Sequence, residues 1–411
     1  MHILMILYNQ VGRGTYWRAL NLGRGLVEQQ HQVTLLAMSQ RQRLRTESFL
    51  DNGVLVVASP DLLWGALRSG WDPWDTANRI HWLRNRTFDI VHAFESRPVV
   101  IWPALYAQRF CDAKLVMDWS DWFGRGGSVE ERTSPVVRTL LRPVETFFEE
   151  HFRCRADGTT VINTVLRDKA LKLGVAAETL LLLRNGSDVD DLQSLSVSLA
   201  RESLDLPLDV ELVGYVGAVF PRDAELMARA FDLIQATRPS ARLLLVGYCN
   251  VPIEEYVSNP QEVYRTGWVP HRDIGTYLSA CDVCWLPLRN SGGNRGRWPL
   301  KLNDYLAVGR PIVATNVGDL TAFFSDHPVG LVVPDEPETL AEGVLTLLDS
   351  PQMAQTMGEL GRRLAETDFS WDALARELAV FYRQVLRGGV SHSAAQRPAP
   401  GSYGVRNSVG N

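Results

Sequence analysis

Between residues 294 and 304 the chain reads NRGRWPLKLND, which brings Arg295, Arg297, a Pro-Leu-Lys and a carboxylate close together. Pro299 suits the first turn of a helix, where its missing N–H costs nothing. Gly309 suits the left-handed position that ends one, with Pro311 beyond it. These signals predict a helix over 299–308, with Leu302, Tyr305 and Leu306 at helical spacing. Its start offers unpaired N–H groups and the positive end of the helix dipole, behind a flexible SGGN stretch that ends in Asn294. Leu300 and Lys301 stand in its first turn, and Asp304 is three residues further on the same face. A cation near a phosphate and a carboxylate one turn deeper suit a nucleoside diphosphate, with charge for the pyrophosphate and an acceptor for ribose hydroxyls. The plainer alternative is a solvated basic loop ahead of a packing helix.

Other candidates also follow apolar runs. NQVGRGT carries Gly12, Gly14 and Thr15 before a helical pattern, where close-approaching backbone N–H groups suit a phosphate or sugar oxygen. The fuller G-x-G-x-x-G is missing, since Trp17 takes its last place, and a tight strand-to-helix turn explains the glycines equally well. VHAFESRP and VMDWSDWFGRGG place His92, Glu95, Asp118 and Asp121 at or beside strand ends. Of these, His92, Glu95 and Asp121 are the catalytic candidates, although a strand-end Asp is as often a turn former. Asp118 and Asp121 are spaced D-x-x-D, a loose match to a metal-binding D-x-D, and no metal is expected.

The elements that must position these residues alternate between strand and helix. HILMILY, HQVTLLAM, FDIVHAF and KLVMDWS are separated by amphipathic stretches, and the pattern restarts after about residue 190 with VELVGYVG, ARLLLVGY, DVCWLPL and PIVATNV. Such alternation implies parallel sheets covered by helices, so the fold class is α/β with two Rossmann-like domains. Ligands of open α/β sheets bind beyond the carboxyl ends of the strands, which places the site in the cleft between the domains. The expected divisions are 1–188 for the N-terminal domain, 189–207 for a polar, turn-rich linker and 208–369 for the C-terminal domain. A helix over 370–388 follows, and a Gly/Ser/Pro/Ala-rich tail over 389–411 is expected to be disordered.

Composition narrows the function. A net charge of −5 implies no nucleic-acid partner. Five scattered cysteines make no disulfide framework and point to a reducing compartment. Cys281 and Cys284 form a C-x-x-C inside what reads as a buried strand, and with no second pair a zinc site is not expected. The apolar start lacks a basic region and a cleavage site, and no apolar run reaches membrane-spanning length, so the expected location is the cytoplasm.

The segment PLKLNDYLAVGRPIVATNVGDL resembles the donor-binding segment of family-4-type glycosyltransferases, whose two-domain architecture is called GT-B. RADGTTVINTVLRDKALKLGV, the RNGSD that precedes the linker and VGYVGAVFPRDAELMARAF agree with it, and the resemblance covers about residues 1–385. It implies metal-independent transfer of a sugar from a nucleotide-sugar donor, without a cofactor, to an acceptor such as a glycan, lipid or small molecule. Retention of anomeric configuration is the family's default course. It also implies that the last helix crosses back onto the N-terminal domain. The donor's base would lie near GWVP, with Trp268 and Val269, its pyrophosphate at Lys301 with Arg295 or Arg297, and its ribose at Asp304. Gly217 and Arg222 flank the loop after the first C-domain strand.

Several positions depart from the family pattern. The family's two glutamates fall on Gly296 and Asp304, its phosphate-neutralising Arg and Lys on Ala218 and Asp223, and its N-domain histidine on or near Ser120. Some GT-B enzymes without the first glutamate invert and use an N-domain aspartate, for which Asp121 is the candidate. A GT-B nucleotide-sugar epimerase and an inactive sugar-nucleotide binder are the alternatives, while the incomplete glycine fingerprints disfavour an NAD-dependent oxidoreductase. RTSPVVRTLLRPVETFFEEHF sets arginines among apolar residues at helical spacing. That fits peripheral membrane contact for a lipid-linked acceptor, and it fits a core-packing helix no less.

Overall fold

The structure, a computed structural model, describes residues 1–388. The expected tail, 389–411, lies outside the described residues.

Eight strands form the first sheet: β1 His2–Gln10, β2 Gln32–Met38, β3 Glu47–Asp51, β4 Val54–Ser59, β5 Ile90–Phe94, β6 Lys114–Trp119, β7 Gly158–Val161 and β8 Leu180–Leu182. Their spatial order is β3-β4-β2-β1-β5-β6-β7-β8, parallel throughout except for β3 against β4. Helices cover both faces, which is why β1 is a continuous apolar run with Ile3 to Leu7 fully buried. Six strands form the second sheet: β9 Glu211–Val216, β10 Ala241–Val246, β11 Val263–Arg265, β12 Val283–Leu286, β13 Ile312–Thr315 and β14 Gly330–Val333. Its order is β11-β10-β9-β12-β13-β14, all parallel. In each sheet the order reverses beside the first strand, between β1 and β5 and between β9 and β12. Such switch points leave a crevice for ligands. Cys281 and Cys284 are buried at β12, as their apolar setting suggested.

The last helix, Trp371–Leu386, begins on Ser370, whose hydroxyl accepts from Ala373 N–H at 3.2 Å. It returns to the first sheet, where Leu374, Leu378, Phe381 and Tyr382 pack with Ile3, Met5 and Leu35. Contact with the helix Tyr16–Glu28 is close, since a Cβ on Gly25 would lie 2.6 Å from that of Ala375. The segment expected to be a turn-rich linker instead contains the helix Val197–Ser203. Arg201 explains its docking: buried, it donates to the carbonyls of Ala280 and Val210 and pairs with Asp282 at 2.7 Å, so the segment lies fixed against the second sheet.

Candidate active site in the interdomain cleft

On the C-terminal side the helix runs Leu300–Ala307, with Pro299 at its cap position and Gly309 left-handed at φ +66° beyond its end. No side chain caps its start, so its first N–H groups are unpaired by capping, as an anion site needs. Lys301 reaches across to the end of β9. Its ammonium donates to the Tyr215 hydroxyl and to the carbonyl of Ala218, at 3.3 Å, and lies 4.1 Å from the Tyr215 ring centre. Burial, helped by the charge of Arg297, lowers its pKa to about 8. Asp304, one turn further in, has its pKa raised to about 6, mainly by burial. Lys301 is thus held beside the β9 loop, where Gly217 turns at φ +81°, while Asp304 lies toward His271 and Asp188.

Arg297 donates to the carbonyl of Gly293 at 3.1 Å, lies 4.9 Å from the Phe220 ring centre and approaches Asp121 at 3.8 Å. Arg222 shares Phe220 but points to Glu131, 2.7 Å away. Arg295 is exposed, and its carbonyl accepts from Asn163 at 2.9 Å. The SGGN stretch is not flexible. It forms a helical turn, Gly292–Arg295, capped by Ser291 and held from the other domain by Glu131, which accepts from the Ser291 hydroxyl at 2.8 Å and the Gly293 N–H at 3.1 Å. Glycine is required there, because a Cβ on Gly292 would lie 1.6 Å from the carbonyl oxygen of Gly126.

Asn294 does not offer its side chain to a ligand. Buried, it donates to the carbonyl of Arg289 at 2.9 Å and to Asp223, while its own oxygen faces Arg222. Asp223, where the resemblance implied a missing lysine, ties two loops together by also accepting from Arg289 N–H at 2.8 Å. Trp268 is 77% exposed in the loop after β11, and Val269 is half-buried beside it.

On the N-terminal side, strand register places Phe94 beside Asp118, so the residues that follow, Glu95 and Ser120–Asp121, emerge side by side. Glu95 has a left-handed backbone, φ +71°, a conformation non-glycine residues adopt mainly where the surroundings impose it. It accepts a short hydrogen bond from the Ser120 hydroxyl, and burial next to Asp121 raises its pKa well above the usual carboxylate range. Burial also raises the Asp121 pKa, to about 6, against the opposing charge of Arg297. Gly12 and Gly14 have φ of +77° and +57°, and a Cβ on Gly14 would lie 2.6 Å from the Asn9 amide. Those glycines are therefore required by the turn itself, and Thr15 stands at the helix start without making a cap bond.

His92 is not at the site. It is fully buried in the first sheet, with Nδ1 2.7 Å from the Tyr382 hydroxyl and Nε2 3.1 Å from that of Thr160, and burial lowers its pKa to about 4. β5 runs on to Phe94, so His92 lies in the middle of the strand, under the last helix, and not at the strand end that reaches the cleft. Asp118 is equally enclosed, gripped by Arg18 through two bonds of 2.9 and 3.2 Å.

Residues not singled out by their chemistry join the two halves. Arg18 also donates to Asn185 Oδ1 at 3.0 Å. Asn185 in turn donates to the Trp298 carbonyl at 3.3 Å and accepts from Asn303 at 2.7 Å. The RNGSD stretch signalled this position, but only tertiary contacts show that it holds the helix Leu300–Ala307. Trp17 stacks on His271, centres 6.1 Å apart, and His271 lies 3.4 Å from Asp188. Asp188, Asp191 and His271 place possible ligand atoms within 4.8 Å of one another, the one such group among the described residues, but it is largely exposed and already internally paired.

Two family models match this chain: "Glycosyltransferase Family 4" over residues 13–191 and "Glycosyl transferases group 1" over 211–350. It is 27% identical over 201 residues to D-inositol 3-phosphate glycosyltransferase of Segniliparus rotundus, an alignment taking in 46% of this chain and 43% of that protein. It is 30% identical over 159 residues to GDP-mannose-dependent monoacylated alpha-(1-6)-phosphatidylinositol monomannoside mannosyltransferase of Corynebacterium glutamicum, covering 37% and 41%. The chain thus spans less than half the length of either relative. Among solved structures, sucrose-phosphate synthase from Thermosynechococcus elongatus superposes with a TM-score of 0.75 at 18% identity, over 94% of this chain and 100% of that one. Anabaena HepE in complex with UDP gives 0.66 at 17%, over 93% and 100%. Two family models along most of the sequence, on two sheets of the expected topology around one cleft, lead to one conclusion: the chain belongs to the family-4-like glycosyltransferases of GT-B fold.

Proposed function

We propose that this protein transfers a sugar from a nucleoside diphosphate sugar to an acceptor hydroxyl, without a metal or cofactor. One observation carries the reading: arginines of the C-terminal side meet carboxylates of the N-terminal side between the domains, Arg297 approaching Asp121 at 3.8 Å and Arg222 pairing with Glu131 at 2.7 Å, with Lys301 on the same side as the arginines at the end of β9. The donor lies on the C-terminal domain, its diphosphate at the start of helix Leu300–Ala307 with Lys301 and Arg297, its ribose at Asp304 and its base toward Trp268 and Val269. In the transfer the bond between the anomeric carbon and the diphosphate oxygen breaks, and its electron pair leaves with the diphosphate. The acceptor oxygen bonds the same carbon and gives up its proton. Fixed positive groups at the leaving diphosphate stabilise charge that grows toward the transition state, a task assigned to side chains here, which is why no metal is invoked.

Retention, the family's default, sends the acceptor proton to the departing diphosphate. A second reading, inversion with Asp121 as base, is favoured by its place in the cleft and its pKa of about 6. The proton NMR spectrum of the first-formed product distinguishes them by its anomeric coupling. The acceptor approaches from the N-terminal domain, in a cytoplasmic setting with peripheral membrane contact through the helix Pro135–Glu150, whose Val136, Leu140 and Phe147 are exposed. No helix among the described residues is long and apolar enough to cross a membrane.

A thermal-shift screen against UDP-, GDP-, dTDP- and ADP-sugars tests the reading, since a ligand of the native state raises its stability by mass action. UDP leads the series because HepE was solved with it. The expected result is a shift with one nucleotide and donor consumption that requires an acceptor. Interconversion of donor sugars without any acceptor would instead mark an epimerase, and binding with neither hydrolysis nor transfer an inactive binder.

A further inference from the structure

Three arginines lie on the N-terminal rim of the cleft, away from the donor groups. Arg13 follows β1, Arg43 follows β2 and Arg68 follows β4, three strands that are neighbours in the sheet. Their loops are laced together: Gln40 donates to the Val11 carbonyl at 2.6 Å, Arg68 to the Gln40 carbonyl at 3.0 Å and Arg43 to the Asp61 carbonyl at 2.9 Å. The acid nearest to them is Asp61, 3.5 Å from Arg68 and 3.8 Å from Arg43, fully buried and with neither oxygen hydrogen-bonded among the described residues. The other acids packed here are occupied, since Asp72 accepts from the N–H groups of Leu62 and Trp74, and Asp75 pairs with Arg79 at 2.6 Å. Asp75 is neutralised by Arg79, so two carboxylates, Asp61 and Asp72, stand against three guanidiniums and leave about one positive charge unmatched, at the exposed Arg13. Arg13 is close enough that, after burial and with Arg43, its charge helps hold Arg68 below the usual arginine range.

The patch has an apolar border and a path to the reacting groups. Leu62, Trp64 and Leu67 are exposed by 44%, 70% and 57% along the same loop. The loop then turns at Gly70, where a Cβ would lie 2.7 Å from that of Arg97 and 2.8 Å from that of Tyr8, so it abuts the strand ends next to Glu95 and Asp121. Arg97 is buried and shares Glu145 with Arg132, at 2.8 and 3.2 Å, so it stands apart from the exposed patch.

We infer that the acceptor is an anion, a phosphate- or carboxylate-bearing molecule held by Arg13 and Arg43 with its uncharged part against Leu62, Trp64 and Leu67. This rests on the transfer reading and narrows its acceptor. Planar guanidiniums suit both oxyanions through paired hydrogen bonds, and the sugar-accepting hydroxyl then points along the loop toward Asp121.

Calorimetry with the screened nucleotide already bound tests it, using glucose 6-phosphate, glucuronate and glucose, and vesicles of phosphatidylcholine with and without phosphatidylglycerol. With Leu140→Glu in place to remove any contact through helix Pro135–Glu150, either a charged sugar or the anionic vesicles should bind while glucose and neutral vesicles do not, and which of the two binds tells a free acceptor from a lipid headgroup. Arg13→Gln should weaken that binding by roughly tenfold, one charge-assisted contact, and Arg13→Lys should recover part of it. Arg13 is exposed, so melting should not change. Charged probes that bind no better than glucose, or an Arg13→Gln effect confined to the nucleotide, would overturn the inference while leaving nucleotide binding intact. Failure of every nucleotide to bind would overturn the transfer reading instead.

Discussion

Lys301 offers the sharpest test, because its surroundings put a number on its behaviour. Its pKa is depressed to about 8 by burial, while only the ammonium form can meet a diphosphate. At pH 7 roughly nine-tenths of the molecules carry the charge and at pH 9 roughly one-tenth, so the donor dissociation constant should rise about tenfold between those values. Because a bound anion favours the charged form, binding near pH 8 should also take up protons, visible as a dependence of binding heat on the buffer. Lys301→Ala removes the charge at every pH and should cost roughly ten- to a hundredfold in affinity, a charge-assisted hydrogen bond being worth about 1.5–3 kcal/mol, with the pH dependence lost. The stability sign is opposite. A lysine with a folded pKa below its unfolded value makes the unfolded chain bind more protons between about pH 8 and 10.5, so stability rises with pH in that window and the burial penalty is fully present below it. Lys301→Met should therefore melt no lower than the wild type at pH 7. If Lys301→Ala binds donor normally while folded, or if affinity is flat from pH 7 to 9, the helix Leu300–Ala307 is packing alone and the diphosphate site lies elsewhere.

The remaining expectations follow from the same geometry. Asp304, raised to about 6, should lose its acceptor role as pH falls below that value, and Asp304→Asn should weaken intact nucleotide yet leave pyrophosphate binding nearly unchanged, both read by calorimetry. His92→Ala should lower stability by about 1–3 kcal/mol in urea titration, the cost of leaving the Tyr382 and Thr160 hydroxyls buried without their partner, while the residual folded enzyme turns over normally; a pure loss of kcat would contradict this. The protein should sediment with anionic liposomes at low salt, and Leu140→Glu should release it; absence of pelleting in the wild type rules out the membrane face of helix Pro135–Glu150.

What was legible in the sequence was what local chemistry determines. Strand runs buried on both faces, the Pro299 and Gly309 punctuation and the Ser370 cap act within a few residues, and the structure places each feature within a residue or so of its expected position. Lys301 and Asp304 were legible as a pair for the same reason, being one helical turn apart. His92 misled because the strand runs two residues past it, to Phe94, and Tyr382, which covers it, arrives from the far end of the chain. Asn294 misled because its amide is satisfied by Asp223 and Arg289, brought close by different strands of the second sheet. The contacts joining the halves, Glu131 to Gly293, Asn185 to Trp298 and Asn303 to Asn185, have no short-range pattern. Each is a polar group whose partner exists only once both sheets have formed. Although Ala218 and Asp223 stand where the family resemblance implies a cationic pair, the cleft is not without charge: Arg222 and Arg297, from two different segments, both lie against the Phe220 ring. Positive charge is therefore retained in the cleft by different residues, and its arrangement depends on Glu131 and Asp121 of the opposite domain. On the proposed placement, the donor would compete with these two carboxylates for the same guanidiniums, which ties the approach of the domains to the charge of whatever lies between them.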